Sequence, residues 1–285
     1  MKLVSFRHGA RDGFGILKDD GVVDLTAENF FGTRYASLRE VFAAGALDAM
    51  LMSVQNFEPN LGLTEISFLL PVPEPAKIIC VGQNYYTDAG AKRAGKRPEY
   101  PNLFGRSRES FVPHGESIVR PKISDHLDYE GELGVIIGRQ GRHIDEADAL
   151  SHVVGYTCIN EGSLRDWQRH GSQNFPGKNF RYSGAMGPCI ATADEIPDPG
   201  KLTINTRVNG EARQEGGTGL MVFDISFLIS YISTFAQLEP GDVISTGSPG
   251  DTAIDMDRPG WLKPGDQLEV EISGIGTLSN PVEAE

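Results

Sequence analysis

Short apolar–polar alternations dominate the chain, and helical spacing is confined to a few stretches. Leu3 to Phe6, Phe14 to Leu17 and Val22 to Leu25 read as strands separated by Gly and Asp turns. Ser37 to Met52 has helical spacing with a Ser at its start. Pro71-Val-Pro-Glu-Pro75 forces extended backbone and predicts a linker. Beyond it, Lys77 to Gly82 predicts a buried strand, and the polar stretch 84–101 predicts a long surface loop of the kind that serves as a lid. Further strands are expected at Leu127 to Ile137, Val153 to Ile159, Leu202 to Val208, Asp242 to Ser245 and Gln267 to Ile272. Two helices are expected near Ser163 to His170 and Asp224 to Phe235. The pattern predicts a mixed α/β, β-rich fold, with a small α+β unit over 1–70 and a larger domain over 71–285.

Composition narrows the partners. The 285 residues are 39% hydrophobic and 23% charged, enough apolar material for a sizeable core. Lys and Arg number 26 against 39 Asp and Glu, a net charge of −13. That field disfavours nucleic acid and anionic membranes as partners. Three widely spaced cysteines, Cys80, Cys158 and Cys189, argue against a disulfide scaffold and suit a reducing compartment. The opening residues lack the apolar run of a secretory signal, and no run is long enough to span a bilayer. A cytoplasmic protein is expected.

The segment His126 to Ile137 carries the chemistry. With a period of two, Leu127, Tyr129, Leu133, Val135 and Ile137 fall on one face, and Asp128, Glu130 and Glu132 on the other. Same-face neighbours on a strand lie about 7 Å apart, close enough for adjacent carboxylates to share one ion. Like charges stacked on a strand repel, and a hard divalent cation relieves that repulsion. Mg²⁺ is the first choice, with Mn²⁺ or Ca²⁺ as alternatives. A solvated acidic strand face is the competing reading.

Six segments, in order, resemble the fumarylacetoacetate hydrolase family. They are Lys77-Ile-Ile-Cys-Val-Gly-Gln-Asn-Tyr85, Asp128-Tyr-Glu-Gly-Glu-Leu-Gly134, Asn160-Glu-Gly-Ser-Leu-Arg-Asp-Trp-Gln168, Gly177-Lys-Asn-Phe180, Pro240 to Pro249 (PGDVISTGSP) and Trp261-Leu-Lys-Pro-Gly-Asp266. The resemblance spans about residues 70 to 282 and implies a β-roll-like catalytic fold and a homodimer. It also implies a Mg²⁺ ion held by Glu130, Glu132 and a third carboxylate, which is Glu161 here where the family has Asp. Asp128 is then a structural acceptor. The resemblance matches Arg165, Gln168, Lys178 and Ser248 to substrate-contacting positions, with Lys178 and Gln168 as catalytic candidates and Tyr85 as a binding one; taken singly, Arg165 also reads as paired with a neighbouring acid, Lys178 as solvated and Ser248 as a turn cap. Three carboxylates and one divalent ion leave about one negative charge, so an anionic substrate needs added positive charge, for which Arg106 is a further candidate beside Arg165 and Lys178.

What the resemblance implies about activity is a metal-dependent hydrolase of C–C bonds in 2-oxo or 2,4-dioxo acids, such as acylpyruvates, in aromatic or sugar-acid breakdown. The substrate is a small anionic 2-oxo acid. A decarboxylase, hydratase or isomerase working through the same enolate is the alternative, and an inactive small-acid binder is a further one. Hydrolytic members carry a His–Glu pair after the Asn-Tyr motif. The matching positions here are Asp88 and Ala91, so Asp88 is the candidate base, with His114 and His170 as other imidazole sources. Gly90 to Arg97 nearly spells a phosphate-binding loop, but Arg stands where the hydroxyl is needed and Pro98 follows.

Overall fold

The computed structural model describes residues 1–26, 34–54, 56–94 and 97–285. Gly95 and Lys96, part of the phosphate-loop-like stretch, lie outside the described residues. Among these residues an eleven-stranded mixed sheet packs against a five-stranded one. The larger sheet runs Gly21–Asp24, Arg11–Lys18, Lys2–His8, Gly184–Thr192, Val153–Asn160, Gly131–Ile137, Val243–Ser245, Ile78–Gly82 and Asn102–Gly105, with Ser67–Phe68 and Phe111–Pro113 paired off this path. The smaller sheet runs Glu211–Gly217, Thr203–Val208, Gln267–Ile272, Gly276–Ala284 and Ile118–Arg120. Leu133, Val135, Ile204, Val270 and Leu278 share the buried cluster that joins the sheets. The mixed, strand-rich architecture agrees with the reading from periodicity.

The first seventy residues extend the larger sheet. Lys2 pairs with Ala191 and Leu3 with Ile190. Leu3, Phe14, Leu25 and Val41 also share one buried cluster with Ile78, Ile136, Met186 and Val243. The proline run is packed onto the body: Val72 is buried, and Ser5 Oγ donates to the Pro71 carbonyl at 2.9 Å.

The single helix expected over Ser37 to Met52 is two, Leu38–Ala43 and Leu47–Val54. Ser37 caps the first, accepting from the Glu40 N–H. Gly45, at φ +60°, takes the left-handed conformation that closes a helix, and its N–H donates to Phe42 O. Near residue 163 the expected helix is a short strand, Ser163–Leu164, followed by one turn, Arg165–Gln168. Helix Ile225–Phe235 begins where its cap Asp224 predicts, with the carboxylate accepting from the Phe227 N–H. Strands Gly184–Thr192 and Glu211–Gly217 have no clear alternation; the first is rich in Gly and Ala, the second is polar and lies at a sheet edge.

His114, one of the imidazole candidates, is part of the scaffold. Its Nδ1 accepts from the Ser279 N–H at 3.1 Å, and its ring meets Phe68 edge-on at 4.8 Å. Burial lowers its pKa, and accepting at Nδ1 requires the neutral ring. A depressed folded pKa gives stability that is complete above the unfolded value of about 6.5 and lost as pH falls through the folded value. Unfolding midpoints in urea should therefore fall between about pH 7 and pH 5, and His114→Gln should flatten that part of the profile. An identical slope in the variant would remove His114 from the account.

Candidate active site

The carboxylates are brought together by one crossing of the chain. Strand Gly131–Ile137 pairs with Val153–Asn160, matching Gly131 to Asn160 and Glu132 to Ile159. On its other side Gly134 pairs with Ser245. Glu130 lies just before this strand, and the chain upstream, Leu127–Asp128, pairs with Ser163–Leu164 in a separate ribbon. The continuous strand expected over Leu127 to Ile137 is therefore broken at Tyr129 and Glu130. The break docks the two acidic segments: Glu161 N–H donates to Glu130 O at 2.8 Å, and Glu130 N–H donates to Asn160 Oδ1 at 2.9 Å.

The acidic face is buried, which overturns the solvated reading. Asp128, Glu130, Glu132 and Glu161 are 0%, 9%, 2% and 1% exposed. Glu130, Glu132 and Glu161 line one cleft of about 600 Å³ together with Lys178, Arg165, Gln168, Tyr85 and Ser248. Glu130 accepts from Lys178 Nζ at 2.5 Å, Ser163 Oγ at 2.5 Å and Arg165 Nη2 at 2.9 Å. Burial would raise its carboxyl, but Arg165 and Lys178 outweigh burial and hold it well below the usual range. Glu132 accepts from Ser245 Oγ at 2.6 Å and Gly247 N–H at 2.9 Å. Burial and the charges of Glu161 and Glu130 push its carboxyl well up. Gly247, at φ +96°, must be glycine there: a Cβ would meet Asn84 Cβ at 2.8 Å and Val81 O at 2.9 Å.

Lys178 Nζ stands between two carboxylates, 2.5 Å from Glu130 and 3.1 Å from Glu161. Burial disfavours its ammonium, yet Glu130 and Glu161 prevail and raise its pKa. Lys178 therefore holds a proton and a positive charge in the cleft floor. Arg165 is spent on the scaffold, with Nε on Asp128 at 2.7 Å, Nη1 on Gln168 at 3.1 Å and Nη2 on Glu130. Asp128 is a structural acceptor, taking the N–H groups of Ala253 and Tyr129 as well, both at 2.8 Å.

Two expected site residues lie elsewhere. Arg106 is buried behind Glu161, 3.5 Å from its carboxylate, and is absent from the cleft wall. Its guanidinium donates to Gly162 O, Ser183 Oγ and Ser110 Oγ and stacks on Phe111 at 4.3 Å, so it cannot reach a substrate. It positions Glu161. Asp88 is exposed and caps helix Ala89–Arg93, accepting from Ala91 N–H at 2.8 Å. The backbone bonds from Ala91 and Gly90 lower its pKa, the wrong direction for a base. His170 packs at a tilt against Trp167, with ring centroids 4.6 Å apart, and is likewise outside the cleft wall.

Among the described residues, no three His, Cys, Asp or Glu side chains converge closely enough to ligate one ion as they stand. The donor set nevertheless fits a hard cation. Three carboxylates share the cleft, and the buried Glu161 Oε1 has ion pairs with Lys178 and Arg106 but no well-formed hydrogen bond. Asp128, Glu130 and Glu161 pair with Arg165, Lys178 and Arg106, whereas Glu132 has no cationic partner among the described residues, so a cation beside it would favour its ionised form.

Several residues of the site escaped sequence reasoning. Asn84 clamps three segments, donating to Phe223 O and Thr246 O and accepting from Phe223 N–H. Gln214 joins Gly131 N–H to Ser248 Oγ. Asn84 lies inside a quoted motif, so it was within reach; Gln214 sits in a polar edge strand with no local signal. Gln83 and Asn174 line the cleft with φ of +57° and +58°, unusual for non-glycine residues and common at functional sites.

Two packed sheets with a buried carboxylate cleft at the crossing of an acidic strand define the class of acid-lined, β-rich enzymes to which the sequence motifs pointed. Residues 77–283 match the model of the fumarylacetoacetate (FAA) hydrolase C-terminal domain, and the chain belongs to that family. It is 37% identical over 290 residues to human mitochondrial oxaloacetate tautomerase FAHD2A, covering 99% of this chain and 91% of that protein. The structure is similar to a fumarylacetoacetate hydrolase from psychrophilic Exiguobacterium antarcticum, with TM-score 0.85, 35% identity and full coverage of both chains. It is also similar to maleylpyruvate hydrolase from Sphingobium in complex with manganese(II) and pyruvate, with TM-score 0.82, 25% identity and coverage of 100% of this chain and 99% of that one.

Proposed function

We propose that this protein is a divalent-metal-assisted enzyme that interconverts the keto and enol forms of a small 2-oxo dicarboxylate, oxaloacetate being the leading candidate. The observation that carries the reading is the cleft's complement of groups. Its floor concentrates carboxylates and a protonated Lys178, whereas Asp88, the candidate water-activating base, is an exposed helix cap. Tautomerisation moves one proton between carbon and oxygen and needs no attacking water. The similarity to an oxaloacetate tautomerase over nearly the whole chain supports the same choice.

Glu130, Glu132 and Glu161 would hold the ion, Mg²⁺ first and Mn²⁺ or Ca²⁺ as alternatives. When bound, such an ion polarises a 2-oxo carbonyl and offsets charge that develops on its oxygen. The chain's own groups do the rest. Lys178 Nζ carries a proton and a positive charge into the floor, where an enolate oxygen gains from both. Arg165, braced by Asp128 and Glu130, fixes Gln168 at the wall through its Nη1 bond. The Tyr85 hydroxyl is buried at the cleft wall close to Glu132 and Thr246, where it can donate to a bound substrate. Ser248 is turned by Gln214. We propose further that the protein works as a homodimer, as the family resemblance implies, in a reducing cytoplasm; its three cysteines are buried and unpaired. Among the described residues no helix is long and apolar enough to cross a membrane.

The test follows the enol absorbance of oxaloacetate in the presence of magnesium. Acceleration above the uncatalysed rate, lost on chelation, is the expected result. Cleavage of acylpyruvates to pyruvate with no effect on oxaloacetate would replace this reading by the hydrolase that the Exiguobacterium relative represents.

A further inference from the structure

Three cationic side chains, Arg165, Lys178 and Arg169, line the cleft, and two of them are consumed internally. Arg165 is paired with Asp128 and Glu130, and Lys178 with Glu130 and Glu161. Arg169 differs: among the described residues it has no ion pair and no hydrogen bond from its side chain. It is exposed, one residue beyond the turn Arg165–Gln168, and therefore belongs to the mouth of the cleft rather than the floor. Its companions in the wall are chemically matched. Gln83 and Asn102 are exposed and Asn174 is half-buried, and the amide side chains of all three lack internal partners. Gln83 and Asn174 take the left-handed conformation there.

We propose that Arg169, with the neighbouring amides, forms a subsite for the second carboxylate of a dicarboxylic 2-oxo acid, and so sets selectivity for dicarboxylates over pyruvate-like monocarboxylates. The inference rests on the 2-oxo acid reading of the cleft and adds a specificity residue to it. The physical logic is a division of charge. The floor's cations, Arg165 and Lys178, are already paired with buried carboxylates, whereas the mouth presents an unpaired guanidinium to an anion. A guanidinium–carboxylate bond is among the stronger polar contacts. A monocarboxylate that fills the floor leaves Arg169 unused.

The experiment compares wild type, Arg169→Gln and Arg169→Lys in magnesium. One arm measures kcat/KM for oxaloacetate tautomerisation and for deuterium exchange into pyruvate by NMR. The other measures calorimetric binding of malate and lactate, which are inert partners of the same two sizes. The dicarboxylate-to-monocarboxylate ratio should fall about tenfold to a hundredfold in Arg169→Gln, in both arms, with part of it recovered in Arg169→Lys. An unchanged ratio in the binding arm, or equal weakening of malate and lactate, overturns the subsite. If wild type turns over neither substrate but prefers malate in an Arg169-dependent way, the subsite stands and the tautomerase reading falls.

Discussion

Lys178→Met should lose about 3–5 kcal/mol of unfolding free energy, because it leaves Glu130 and Glu161 buried without the ammonium that separates them. On the role proposed for Lys178, turnover should fall by at least about a hundredfold, since a preorganised positive charge beside the enolate oxygen would be lost with it. Two further measurements separate electrostatics from damaged packing. Added magnesium should restore part of the lost stability, because a divalent ion can take over the charge compensation. The double variant Lys178→Met/Glu130→Gln should be more stable than Lys178→Met alone, since neutralising the partner removes one stranded charge. Urea unfolding followed by tryptophan fluorescence reads both. A double variant no more stable than the single one would mean that Lys178 matters as volume rather than as charge.

Glu132→Gln should have the opposite profile. Burial and the adjacent charges of Glu161 and Glu130 already disfavour the Glu132 carboxylate. An amide of the same shape keeps an acceptor oxygen for Ser245 Oγ and Gly247 N–H and removes the repulsion. The metal-free melting temperature should stay level or rise. The magnesium-dependent rise in melting temperature should vanish, and turnover should drop by about a thousandfold or more, as expected when a hard cation loses one of three carboxylates. Differential scanning fluorimetry across a magnesium series, paired with the enol assay, provides the check. A full magnesium response in Glu132→Gln would remove this carboxylate from the ligand set.

Much of the site was legible in the chain because its chemistry is written in short segments. Period-two alternation around Leu133 and Val135 puts Glu130 and Glu132 on one face, and Arg165 and Gln168 fall in the segment expected to be helical, where they share one turn and are bonded. Asp128 was legible as a scaffold acceptor. Asp88 and Arg106 were not legible, for a shared reason: a polar side chain near a motif looks the same whether it faces a cleft, caps a helix or backs a ligand. Exposure distinguishes the cap, and burial with every donor engaged distinguishes the backing arginine.

By itself, the sequence determined the strand-rich class, the family, the acidic segment and most of the residues that meet in the cleft, because alternation and motif spacing are local properties of the chain. Only the tertiary structure decided that the acidic face is buried at the floor of a cleft, that strands within the leading seventy residues extend the main sheet, and that Arg165 and Lys178 are paired with carboxylates while Arg169 is not. Those outcomes depend on which distant segments pair: Glu130 with Asn160, Leu3 with Ile190, Lys178 between Glu130 and Glu161. The charge state and availability of a side chain are set by neighbours far away in sequence, and local pattern holds no record of them.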